Sequence, residues 1–362
     1  MSKLNVAVIY GGANTEHEVS KSSADTIISS LSTEKYNIVP IYISKSGKWL
    51  LNDSPPSNLS EHHYANLEKY GQTAIISPDR GGRSILRIAA GKAREIPVDI
   101  VFPVLHGRHG EDGTIQGLCE LAGLPYVGSG VLGSAMAMDK YYANIIAAAL
   151  GLRHAPYLAF KAHELCSPAD LDAAAKAARY KLGYPVFVKP SNSGSSVGTS
   201  KARDKKQLLE AIKEALRHDR KILVEKAING RELECSVIGD SAGGTFASEA
   251  GEIIPGEEFY TYDAKYNNKG SQTIAPADIP AEVSERVKNM SVKIFEGVDA
   301  YGLARVDFFW DEAEDTVYFN EINTMPGFTG ISMYPMLLNA SGMTTPQIVD
   351  KLIDLGLQRK KH

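Results

Sequence analysis

The chain has 362 residues, 43% of them hydrophobic and 23% charged, and a formal net charge of −4, the make-up of a globular protein of two or three domains. Slight acidity and scattered Lys and Arg exclude a nucleic-acid surface, and no apolar run approaches the roughly 18 residues of a membrane span. Cys119, Cys166 and Cys235 lack zinc or disulfide spacing, and the apolar run 6–10 is too short for a signal-peptide core, so a reducing, cytoplasmic setting is expected.

Residues 6–10 read as a buried parallel strand. Gly11-Gly12-Ala13-Asn14-Thr15-Glu16-His17-Glu18-Val19-Ser20 follows and opens a helix to about Leu31. A glycine turn at a helix start suits an anion, but Glu16 and Glu18 are wrong for cradling phosphate. They suit a cationic group such as a substrate ammonium, or they merely favour the positive helix end. Residues 38–43 and 48–51 look like strands, and 52–70 like a polar loop with one short helix. Residues 98–105 form another buried strand that delivers His106-Gly107-Arg108-His109-Gly110-Glu111-Asp112-Gly113. Ligands of open α/β sheets bind at such carboxyl ends, and the three glycines favour a functional His106. Asp112 reads as the cap of a helix to Ala122.

Residues 125–130 read as a linker into a second unit, with Lys140 on or between its first helices. Strand 155–160, helix 167–181, a strand at 186–189, helix 204–217 and strand 222–226 make that unit α+β. Its strand 186–189 ends on Lys189, and Pro190-Ser191-Asn192-Ser193-Gly194-Ser195-Ser196-Val197-Gly198 follows. Such a loop presents bare N–H groups and small hydroxyls to phosphate oxygens, and the lysine adds a point charge. Glu225 and Lys226 end the unit at a strand that offers main-chain groups to a base edge, and Glu232 is placed to hold ribose hydroxyls. Residues 232–238 alternate as a half-exposed antiparallel strand should. Residues 256–276, with four aromatics between Phe259 and Tyr266, read as an active-site cover, and 280–298 as an amphipathic helix.

The second strong signal is the hairpin 303–323. A turn centred near Glu314 sets Asp307 against Glu321, with Arg305 and Asn323 on the same face. Facing carboxylates repel. Mg²⁺ or Mn²⁺ would offset the repulsion, being hard cations that take oxygen ligands and substrate phosphates together. Beyond it, the Gly327 N–H and Arg305 are placed to donate to a developing oxyanion, and Ser332 to hold a carboxylate at a helix start. Residues 345–358 close the chain as a helix.

In this order the stretches 11–20, 106–113, 138–140, 189–198, 225–226, 262–266, Arg305 with Asp307, and 321–327 resemble the D-alanine–D-alanine ligases of the ATP-grasp superfamily over nearly the whole chain. The resemblance implies an open parallel α/β unit (1–128) and a two-part ATP-grasp unit with antiparallel sheets (129–229 and 230–362). It implies that ATP meets Lys140, Lys189 and Lys265 with its phosphates, Ser195 and Ser196 in the loop, and Glu225, Lys226, Ile228 and Glu232 with its adenosine. Asp307, Glu321 and Asn323 would hold two Mg²⁺ or Mn²⁺. Glu16 would pair with the first D-alanine's ammonium near His106, and Ser195 and Tyr266 would link Glu16 to the cover. Arg305, Gly327, Ser332 and Met333 would form the second D-alanine's subsite. A homodimer through the N-terminal unit and activation by K⁺ are further implications.

Three rivals remain at this level. A D-alanyl-D-lactate or D-alanyl-D-serine ligase of the same family would share almost every residue above, although Tyr266 resembles the dipeptide-forming type. A non-catalytic nucleotide-binding regulator would have less use for a complete set of lysines and acids. A serine hydrolase is suggested by Gly194-Ser195-Ser196-Val197-Gly198, which fits G-x-S-x-G formally but needs a helix directly after it.

Overall fold

The computed structural model describes residues 2–52, 54–79, 83–240, 243–256 and 271–359. The chain opens with β1 (Leu4–Gly11), α1 (His17–Ser30), β2 (Tyr36–Ile43), β3 (Trp49–Leu51), α2 (Glu61–Tyr70), β4 (Thr73–Ile76), β5 (Ser84–Ala89), β6 (Lys92–Pro97) and β7 (Ile100–Val104). Residues 6–10 are fully buried because β1 pairs in parallel with β2 on one side and β7 on the other. The sheet order is β6-β5-β4-β3-β2-β1-β7. The expected open parallel sheet is its β2-β1-β7 part; β3 to β6 extend it antiparallel at the far edge. After β7 comes α3 (Thr114–Ala122), with Gly113 at the N-cap. Asp112 braces the loop instead of capping it, its carboxylate accepting the His109 and Thr114 N–H groups. The expected linker at 125–130 is tied down: Tyr126 bridges Val101, and Tyr126, Val127 and Ser129 are buried.

Next come α4 (Val131–Met138), α5 (Lys140–Ala149), β8 (Tyr157–Lys161), α6 (Pro168–Lys181), β9 (Val186–Pro190), β10 (Ser200–Ala202), α7 (Lys205–Ala215) and β11 (Lys221–Lys226). The sheet β10-β9-β11-β8 is antiparallel, and α6 and α7 cover one face of it to make a self-contained core around Val186, Val188, Ile222 and Leu208. The Ser/Gly loop runs straight from β9 to β10. After Ser196 the next element is strand β10 and not a helix, so the serine-hydrolase elbow is absent.

The last part holds β12 (Arg231–Asp240), β13 (Phe246–Ala247), β14 (Gly251–Ile254), β15 (Gln272–Ile274), α8 (Ala281–Gly297), β16 (Tyr301–Asp311), β17 (Thr316–Asn323), α9 (Met333–Ala340) and α10 (Thr345–Gln358). Its sheet runs β15-β14-β12-β16-β17, with β13 beside β12. The strand expected to be half-exposed, β12, is buried from Leu233 to Gly239. Leu233, Cys235 and Val237 lie under α8. On the other face the Ser236 hydroxyl donates to Tyr334 O, and Ile238 joins a core shared by α9, α10 and the first sheet. In that core Tyr334, Ile348 and Leu352 pack with Val8 and Phe102. The chain's end therefore fuses the third sheet to the first, and Ala137, Ala143 and Ala147 of α4 and α5 join the third sheet's core, while the second sheet with α6 and α7 keeps its own interior.

Candidate active site

Two clefts meet between these bodies. The larger, about 450 Å³, lies between the second and third sheets and is lined by Lys189, Glu225, Lys226, Ile228, Glu232 and Asp307, among others. The smaller, about 80 Å³, lies against the first sheet and holds Glu16, His106, Arg305, Gly327, Ser332 and Met333. Lys140, Ser193, Ser195, Glu234, Ile253 and Glu321 line both, so they mark the junction.

Glu16 ends the β1 loop at the start of α1 and is buried. Glu18, which shared the expectation, points outward into ion pairs with Lys21 and Lys45. Two glycines make room for the Glu16 carboxylate. A Cβ on Gly107, whose φ is +67°, would lie 1.9 Å from Glu16 Oε2, and one on Gly194 would lie 2.9 Å away. The Ser195 hydroxyl donates to Glu16 Oε1, so the Ser/Gly loop reaches across to the first sheet. Ser195 and Ser196 take left-handed backbone conformations, φ 48° and 58°, which only a constrained loop retains.

Lys140 opens α5 behind the N-cap Asp139. Its ammonium donates to Ser193 O at 2.8 Å and lies 3.1 Å from Glu321 Oε2. Burial alone would lower its pKa; the charges of Glu321, Glu225 and Glu111 hold it above the ordinary lysine value. Asp139 also accepts from Ser191, Asn192 and Lys221, which anchors the root of the loop to the same helix. Lys189 reaches Glu225 at 2.6 Å and Asn320 at 3.1 Å.

The hairpin register is as expected: Arg305 lies opposite Asn323 and Asp307 opposite Glu321. The turn closes Asp311 on Thr316, which by itself would set Asp307 against Asn320. A bulge after Asp307 restores the pairing and turns Asn320 towards Lys189. Asp307 also lies opposite Glu234 of β12, so three acids cross three adjacent strands. Arg305 offsets them, donating from Nε and Nη2 to the two Asp307 oxygens at 2.7 Å each, with Glu234 3.1 Å from Nε. Despite burial its pKa is raised well above the usual value by Asp307 and Glu234.

Asp307 and Glu321 offer hard oxygen donors to a divalent ion, and Lys140 already places a cation beside Glu321. Asn323 is the weaker member, its Oδ1 accepting from Met325 N at 2.9 Å. Among the described residues no group of three or more His, Cys, Asp or Glu is arranged to hold a metal. Lys265 and Tyr266 fall outside the described residues, as does most of the expected cover.

Sequence reasoning passed over Glu234, Asn320 and Glu111. The first two become visible only through strand register. Glu111 sits within a glycine loop already singled out, accepts from Gly107 N at 2.8 Å and is buried. Burial, then the nearby Glu16 charge, push its carboxyl up to about 8. A folded-state pKa above the unfolded value means that the native state keeps a proton which the unfolded chain has lost. The contribution of this group to stability should therefore fall as pH rises from about 4.5 to about 8, by at most about 1.4 kcal/mol per pH unit. Glu111→Gln should remove that contribution, so that the variant gains melting temperature relative to wild type between pH 5 and 8; a difference that does not change with pH would refute the assignment.

Family models for the D-Ala–D-Ala ligase N-terminus and C-terminus match residues 5–129 and 146–354. The chain belongs to the D-alanine–D-alanine ligase family. Proteins named D-alanine–D-alanine ligase from Caldicellulosiruptor bescii and Acetivibrio thermocellus are 46% and 48% identical to it. The alignments cover 100% and 99% of this chain, and 97% and 96% of those ligases. Among solved structures, a D-Ala:D-Ser ligase from Enterococcus faecalis superposes with a TM-score of 0.87 at 37% identity, covering 98% of this chain and 100% of that one. The D-alanine–D-alanine ligase from Coxiella burnetii gives 0.85 at 34% identity, covering 99% and 95%. This ligase-family chain therefore shares both sequence and architecture with them from end to end.

Proposed function

We propose that the protein is an ATP-dependent ligase that joins two D-alanines through an acyl phosphate, giving D-alanyl-D-alanine, ADP and phosphate for peptidoglycan precursors. The observation that carries this reading is the junction of the two clefts at Lys140, Ser195 and Glu321. A nucleotide in the larger cleft brings its terminal phosphate to the place where the smaller cleft begins. The three-unit division at 128/129 and 229/230 goes with it, each unit having its own sheet.

In this reading Glu225, Lys226, Ile228 and Glu232 hold the adenosine, and Lys189, Lys140, Ser195, Ser196 and Lys265 the phosphates. Glu16 holds the first D-alanine's ammonium. That substrate's carboxylate attacks the γ-phosphorus, ADP leaves, and the lysines offset the charge on the transferring group. Two Mg²⁺ or Mn²⁺, held by Asp307, Glu321 and Asn323 with the phosphates, would supply further charge neutralisation there. The second D-alanine's amine then attacks the acyl carbon and phosphate leaves. Arg305 Nη1 and the Gly327 N–H stabilise the oxyanion, and Ser332 and Met333 seat the second substrate. Tyr266 and the 256–276 segment exclude water, which would hydrolyse the acyl phosphate.

Activation by K⁺, a cytoplasmic location and a homodimer through the N-terminal unit belong to the same proposal. Among the described residues no helix is long and apolar enough to cross a membrane. Leu121 of α3 is exposed in that unit, and so are Val131 and Leu132 of α4 just past its boundary, which suits a face between two copies.

The test is direct. Purified protein with ATP, Mg²⁺ and D-alanine should release phosphate and form a dipeptide, read by mass, and L-alanine should not replace D-alanine. No D-alanine-dependent phosphate would leave the regulator reading. The likeness to a D-Ala:D-Ser ligase makes D-serine the informative competitor, with D-lactate beside it. Preferred incorporation of either at neutral pH would overturn the dipeptide assignment.

A further inference from the structure

The geometry points to Ser23 as a positioning residue that, with His106, fixes the 325–328 turn and so sets the oxyanion donor Gly327 in register with Glu16. This rests on the roles proposed above for Gly327 and Glu16.

Ser23 lies on α1 with no exposed surface. Its hydroxyl accepts the Phe328 N–H at 3.0 Å and lies 2.9 Å from His106 Nε2. The other ring nitrogen, Nδ1, lies 2.9 Å from Met325 O. A carbonyl can only accept, so Nδ1 carries the proton. Nε2 is then an acceptor, and the Ser23 O–H donates to it. The Ser23 lone pairs remain for Phe328 N–H. One arrangement of protons satisfies every group, and it grips the turn on both sides of Gly327. Burial, with Arg305 nearby acting in the same direction, pushes the imidazole down to about 4, so His106 stays neutral at physiological pH. Both of its nitrogens are committed, and this makes it a brace for the site instead of a proton carrier.

The turn is held from far away in the chain: His106 reaches it across 219 residues and Ser23 across 305, and the two are themselves 83 residues apart, linking α1, the end of β7 and the segment after β17. Glu16 and Ser23 flank the first two turns of one helix. The same rigid element therefore carries the first-substrate residue and the clamp on the second-substrate turn. Reactions that join two bound molecules are sensitive to such register, and a misplacement of about 1 Å can cost about 10²-fold in rate.

Ser23→Ala removes the hydroxyl without adding volume. It should lower kcat for dipeptide formation about tenfold to a hundredfold, with KM for ATP within about twofold. Independently, imidazole ¹H–¹⁵N spectra of histidine-labelled wild-type protein should show His106 as the neutral Nδ1–H tautomer from pH 6 to 8, and Ser23→Ala should convert it to a tautomer mixture. A wild-type His106 that titrates in that range, or sits as the Nε2–H tautomer, would overturn the relay. So would a Ser23→Ala protein with mixed tautomers and kcat within about twofold of wild type. Should the variant not fold, the wild-type spectrum still decides. Should the wild type ligate nothing, the functional reading fails while the spectra judge the relay separately.

Discussion

Glu321→Gln should lower ligation turnover by at least about 10²–10³-fold while leaving the melting temperature nearly unchanged. The side chain keeps its shape and loses one charge. That charge sits where the two clefts meet, opposite Asp307 and 3.1 Å from the Lys140 ammonium. The fold tolerates its loss because Glu321 is one of three acids in a row across β12, β16 and β17, and removing one relieves repulsion. The chemistry does not tolerate it, because charge developing on the transferring phosphoryl group needs its counter-cations held in place. The check is steady-state ADP release across a Mg²⁺ titration, with the half-saturating Mg²⁺ concentration moving upward. Turnover within a few-fold of wild type at ordinary Mg²⁺ would remove Glu321 from the metal set.

Arg305→Met should damage both activity and folding. The guanidinium is the cation between Glu234 and Asp307, and it makes a two-pronged bond to the latter. An apolar chain of similar length leaves those carboxylates facing each other in a buried strand pair. Breaking a buried pair from one side costs about 3–5 kcal/mol. Urea unfolding at pH 7 measures this, and activity should fall by about 10³-fold through loss of the oxyanion donor. A variant as stable as wild type at pH 7 would mean that Glu234 and Asp307 are neutralised by something else.

The two predictions differ because the two residues sit differently in the fold. Glu321 lies on the outer strand β17 beside the nucleotide cleft. Arg305 lies one strand in, with Glu234 on the far side. Helices α4 and α5 pack Ala137, Ala143 and Ala147 into the third sheet's core, whereas the Ser/Gly loop and β9 reach the fused body through polar groups at Ser195–Glu16, Lys140–Ser193 and Lys189–Asn320. Such contacts exchange readily with substrate and water, whereas the shared apolar core of the first and third sheets does not.

By itself the sequence determined whatever depends on neighbours in the chain. Alternation and a short turn are local, so the pairing of Asp307 with Glu321 was legible from the hairpin, even though a bulge at Asn320 rather than the turn's centre achieves it. The strand that ends on Lys189, the Ser/Gly loop and the glycine-flanked His106 were legible for the same reason. Tertiary structure alone decided the rest. Glu16 and Glu18 look alike in sequence, and only packing turns one into the site and the other towards Lys21 and Lys45. Glu234 became a third acid because β12 pairs with β16 across more than sixty residues, and no local pattern encodes that register. His106 read as a functional residue near the first substrate's ammonium. The fold gives both its nitrogens to Ser23 and Met325, because a buried imidazole must satisfy its own hydrogen bonds before it can serve anything else.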